Sequence, residues 1–187
     1  MRKHILNKAL KILLLTDGLI RLAGAMLAPI YALFVHEIGG DILDAGLAGA
    51  VFALAAGVTV LLSGKVSDEV HECKNIVVIG YCVMGIAFFC LLFVDSIWGL
   101  FAVQVMTGLG EALYVPAYDA LYSRHLEAHK EAEEWGAWES MSYFTTALGA
   151  VVGGFIAQVY GFDPIFVLMA MLSIVSAWFL YRFPTRL

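Results

Sequence analysis

The chain of 187 residues is 61% hydrophobic and only 14% charged, with a mean hydropathy of +0.86, which excludes a water-soluble domain and points to a polytopic membrane protein. A net charge of −5, with the acids scattered along the chain, argues against nucleic acid as a partner and leaves the lipid bilayer as the expected surrounding. Cys73, Cys82 and Cys90 fit neither a C-x-x-C nor a metal-ligand spacing, so they are expected as thiols, and no metal or cofactor is expected.

Six apolar runs lie at about 11–35, 45–63, 75–94, 97–118, 137–160 and 164–183. Each is close to the roughly 20 residues that cross about 30 Å of hydrocarbon. The runs are continuous rather than alternating, which excludes membrane strands and predicts an all-α fold, a single six-helix transmembrane bundle over residues 1–187. Ten of the eleven lysines and arginines fall in the two tails and the second and fourth loops, and the other loops hold only acids. Both termini are therefore expected on the cytoplasmic side of the cell (inner) membrane, in agreement with the even number of spans. Arg2, Lys3 and Lys8 ahead of Ala23-Gly24-Ala25 have the outline of a signal peptide. Asp17 and Arg21 interrupt its apolar core, so cleavage is not expected.

The first span opens as a basic amphipathic stretch and then presents Asp17 and Arg21, four residues apart and so on one helix face. The pair reads either as an internal salt bridge or as part of a cavity wall. Pro29 should bend this helix further out. In the second span Ala45, Gly49, Ala53 and Gly57 form a stripe of small residues suited to close helix approach. The third span is nearly featureless and reads as structural. In the fourth, Gln104, Glu111 and Tyr118 recur every seven residues and share a face. Glu111 sits well inside an apolar run, where an ionised side chain costs on the order of 2.5 to 3.5 kcal/mol, so it should face protein or a watery cavity.

A cytoplasmic surface helix is expected over about 119–135, supported by the favourable Lys130–Glu134 pair. His125 and His129, four apart within it, have no further ligand fixed by spacing, so no metal site is predicted. All five histidines, His4, His36, His71, His125 and His129, lie at or beyond the span boundaries, and no Ser/His constellation occurs within them, so the chain does not read as an enzyme. The fifth span carries Glu139 near its inner end and a second run of small residues, Thr146, Ala150 and Gly154 with Gly149, Gly153 and Ala157.

Between the second and third spans, Gly64 and Asp68 match the G-x-x-x-D-[RK]-x-G-[RK]-[RK] signature of the major facilitator superfamily, whereas Glu69, His71, Glu72 and Cys73 depart from it. Gly108-Leu109-Gly110-Glu111-Ala112, followed by Pro116-Ala117 and Ala120-Leu121, resembles that family's fourth helix. Ala147 to Gly154 resembles its fifth, with Ala150 in place of the proline typical of antiporters. What the resemblance covers is one six-helix half of a twelve-helix fold whose halves enclose the substrate.

The resemblance implies a cavity lined by the first and fourth helices. The residues carried over are Asp17, Arg21, Tyr31, Gln104, Glu111, Tyr114 and Tyr118, with Ala25 and Gly108 beside them and a pairing of Arg21 with Glu111. Gly64 and Asp68 would belong to the loop that controls conformational switching. A parallel homodimer would supply the second half, its interface made by Ala45, Gly49, Ala53 and Gly57 of one copy against Ala150, Gly153 and Gly154 of the other. The expected function is secondary active transport of a small solute by rocking of two bundles. Coupling to protons as a symporter would run through Glu111 or Asp17. The alternatives are a non-transporting assembly or regulatory subunit or a half that pairs with a different half, a truncated half in place of a natural one, and a purely structural network in which Asp17, Arg21, Glu111 and Glu139 neutralise one another.

Overall fold

The computed structural model describes residues 6–69 and 73–183, with the backbone alone at residues 62 and 64–69. Among them every regular element is helical: α1 (Lys8–Leu27), a 3₁₀ turn (Ala28–Ile30), α2 (Tyr31–Glu37), α3 (Ile42–Glu69), α4 (Cys73–Cys90), a second 3₁₀ turn (Leu91–Phe93), α5 (Ile97–Ser123), α6 (Glu131–Tyr160) and α7 (Asp163–Arg182). Taking α1 and α2 as one interrupted span, six helices are long and apolar enough to cross a membrane.

The helix ends follow from local chemistry. The Asn7 side chain accepts from the Leu10 amide at 2.9 Å and starts α1. Pro29 falls at the 3₁₀ turn that divides the first span. Asp41 and Asp44 cap the start of α3 reciprocally, each carboxylate accepting from the other's amide at 2.9 and 3.0 Å. Gly161, at φ 80°, ends α6, and Pro164 opens α7. The buried Lys74 ammonium donates to the carbonyls of Tyr181 at 3.1 Å and of Phe183, tying the start of α4 to the end of α7.

Two boundaries depart from expectation. In place of a surface helix over 119–135, α5 continues to Ser123, a turn carries the chain through His129 at φ 70°, and α6 begins at Glu131. The acids of that stretch, Glu131, Glu133 and Glu134, occupy the first turn of α6, where the helix dipole favours them. The second span likewise continues as helix to Glu69. Gly64 and Asp68, expected in a switch loop, lie on the last turns of α3, with the Asp68 side chain outside the described residues; His71 and Glu72 are outside them altogether.

Packing neighbours run in the order α3, α5, α4, α7, α1, α6. The central seams bury Tyr81, Tyr118, Tyr122, Phe166, Met26 and Met169. The two outer members each keep an outward face open: only 6% of the residues in the apolar window of α3 and 11% of those in that of α6 are fully buried, against 44% in each of the other four spans. The α3–α5 seam is close enough that a Cβ on Gly108 would come within 2.7 Å of the Phe52 carbonyl oxygen. A groove on the outer face between α4 and α7, lined by Phe89, Met171, Ile174 and Val175 among others, is apolar throughout.

Candidate functional site: a polar cleft between the first and fourth spans

The helices α1 and α5 share no extended seam, and charged side chains of the two stand within electrostatic reach of each other. Asp17 is fully buried on α1, and its Oδ2 accepts from Arg21 Nε at 2.6 Å, one turn on, and from Trp138 Nε1 at 2.8 Å on α6. The Arg21 guanidinium also stacks on the Trp138 ring, with its central carbon 4.5 Å from the ring centroid. One carboxylate, one guanidinium and one indole thus form a closed triangle in which every pair is in contact. Taking a carboxylate out of water is costly, and this triangle repays it with a paired charge and two donors.

The triangle includes the internal salt bridge foreseen for Asp17 and Arg21, but the partner expected for Arg21 across the cleft is different. Arg21 and Glu111 form no ion pair in the structure; Glu111 stands half-buried on α5, within electrostatic reach of Arg21 and Asp17. The Asp17 Oδ1 atom and the Tyr118 hydroxyl are buried without a hydrogen-bond partner, and Tyr118 lies close enough to Asp17 to feel its charge.

A second polar group spans the cleft nearer the end opposite the termini. Gln104 Nε2 donates to the Tyr31 hydroxyl at 2.5 Å, and its Oε1 accepts from Thr107 at 2.9 Å. Tyr31 follows directly on the 3₁₀ turn, so the Pro29 break sets where this ring meets α5.

Several expected cavity residues are placed elsewhere. Tyr114 is buried in the α4–α5 seam, edge-on to Tyr81 with ring centroids 5.0 Å apart. Tyr118 is likewise buried, stacked on Tyr122 at 5.8 Å. Gly108 is taken up by α3 and Ala25 by Gly149 of α6. Glu139 is exposed on α6 and lies outside the triangle.

Of the residues assigned to an interface between copies, Gly153 is corrected: a Cβ there would lie 1.9 Å from the Met26 carbonyl oxygen, so α1 of the same chain already occupies that face. Gly49 and Gly57 are exposed, Gly154 is half-buried, and none has an atom within 4 Å of where its Cβ would be. Ala53 is exposed as well, and Ala45 and Ala150 are half-buried.

Trp138 and Tyr81 are the site neighbours that the sequence did not disclose. Trp138 lies at the edge of an apolar run, where tryptophan ordinarily marks the membrane interface. Its i,i+3 spacing from Trp135, with the rings edge-on at 5.6 Å, was the available sign of a common face.

Residues 13–186 match the family model described as Major Facilitator Superfamily. Among curated proteins, the chain is 25% identical to the Multidrug resistance protein MdtG of Serratia proteamaculans, over 94% of this chain and 44% of that one. It is 26% identical to an uncharacterized MFS-type transporter of Methanocaldococcus jannaschii, over 92% and 44%. With MdtG of Proteus mirabilis the identity is 25%, over 96% and 46%. The chain spans less than half the length of these relatives.

Proposed function

Because the chain belongs to the major facilitator superfamily, we propose that it works as one six-helix half of a secondary transporter, completed by a second copy of itself around a twofold axis along the membrane normal. The observation that carries this reading is the coincidence of two features. Charged side chains of α1 and α5 stand within electrostatic reach of each other across helices that share no extended seam, and the two helices at the ends of the packing order, α3 and α6, each pack mainly on one neighbour and leave apolar outward faces open. Solute would occupy the space on the axis between two such clefts, and rocking of the halves about α3–α6 contacts would expose it alternately to the two sides. Lys8 and Phe183, which meet at one end of the bundle together with Lys74, would lie at its cytoplasmic end. Glu111, half-buried and unpaired across the cleft, is the carboxyl group assigned to proton coupling, with Asp17 held back by its two donors.

The relatives named multidrug resistance protein direct the first substrate screen to drug-like organic compounds. The test is uptake into proteoliposomes holding the purified chain, with and without an imposed pH gradient. Gradient-driven accumulation that Glu111→Gln abolishes while leaving solute binding intact is the expected result. Accumulation that survives in Glu111→Gln removes that carboxyl from coupling, and absence of any flux across the panel removes transport.

A further inference from the structure

Arg21 is the one basic residue placed away from the ends of the six spans. A guanidinium carries five N–H donors in a flat fork, and here they are unequally used. Nε is committed to Asp17, and one face of the group lies on Trp138. Neither Nη group donates a hydrogen bond among the described residues, the side chain is 30% exposed, and Glu111 of α5 stands within electrostatic reach of it. If neutralising a buried charge were the whole purpose, Asp17 alone would serve. Trp138 adds a fixed plane: its ring supports the guanidinium, and its Nε1–H holds the same Asp17 oxygen that Arg21 uses. An arginine so clamped keeps its Nη edge at a set angle, and that edge has the spacing to take both oxygens of a planar carboxylate at once.

We propose that Arg21 is a pre-oriented fork for a carboxylate group on the solute, and that Trp138 is the residue that positions it. The inference rests on the transporter reading for the identity of the cleft as a solute site, and it adds a chemical class, an organic anion with a carboxylate at one end. Glu111 disfavours a second negative charge near it, so the rest of the solute is neutral or cationic.

The test uses the full chain in detergent, titrated calorimetrically with 2-naphthoate and with its uncharged counterpart 2-naphthamide. The wild type is expected to bind the carboxylate roughly tenfold or more tightly than the amide, the size of one charge-assisted pair. Arg21→Lys keeps the charge but loses the fork, and should weaken the carboxylate by roughly fivefold with amide binding unchanged. Trp138→Leu should weaken the carboxylate alone by roughly fivefold, with partial recovery in Trp138→Phe, which restores an aromatic face. Thermal midpoints of the variants separate loss of the fork from loss of the fold.

Equal affinity of the wild type for the two probes, binding of neither, or unchanged carboxylate affinity in Arg21→Lys overturns the proposal. A chain that moves neutral solutes irrespective of Arg21 keeps transport and loses this inference. One that binds naphthoate through Arg21 but moves nothing keeps the inference and loses transport.

Discussion

At the scale of single residues, the Asp17–Arg21–Trp138 triangle makes a definite energetic statement. Asp17→Asn leaves a guanidinium in the bundle without its counter-charge, and should lower stability by about 3 to 5 kcal/mol. Arg21→Leu in the same chain should return most of that loss, because the uncompensated charge is then gone. A double-mutant cycle of thermal unfolding in detergent measures the difference. The i,i+4 spacing of Asp17 and Arg21 made their pairing legible in the sequence. Trp138 was not legible, because it is 121 residues from Asp17 and only the packing of α6 on α1 brings them together. Glu111 shows the reverse: its position in an apolar run announced a polar surrounding, but spacing along one helix carries no information about which charge on another helix it will meet.

Among the helices, close approach decides which small residues can change. Gly153→Ala forces a methyl group against the Met26 carbonyl, which cannot yield without moving α1. We expect a cost of about 3 kcal/mol or more, seen as loss of the monodisperse peak on size-exclusion chromatography of the expressed protein. Gly154→Ala, one residue on and facing open space, should leave that peak unchanged. The small-residue run of the fifth span was visible in the sequence, and so was its suitability for packing. Its division between two partners was not: Gly149 and Gly153 are taken by α1, whereas Gly154 is left over, and periodicity is the same for both sets. The surface helix expected over 119–135 failed for a related reason. Its i,i+4 charges fit any helix, and the helix dipole favours the acids in the first turn of α6, which takes them up from Glu131 onward.

For the molecule as a whole, six spans, an all-α bundle and membership in the major facilitator superfamily were all readable from the order and spacing of short motifs. The sequence carried no signal for the order α3, α5, α4, α7, α1, α6, nor for the exposure of the outward faces of its two outer helices. That exposure underlies the proposed twofold assembly. Gly49 lies seven residues from the start of α3, and Gly154 six from the end of α6. At 1.5 Å per residue these are about 10 and 9 Å from the end of the bundle opposite the termini. In a parallel dimer that sets α3 of one copy against α6 of the other, the two positions therefore meet at one depth. Cross-linking in native membranes between separately tagged copies, one carrying Gly49→Cys and the other Gly154→Cys, tests this arrangement directly. A mixed disulfide between the two tags on mild oxidation is the expected result. A dimer linked only through Gly49→Cys to itself, or copies that never cross-link at this pair, would contradict it.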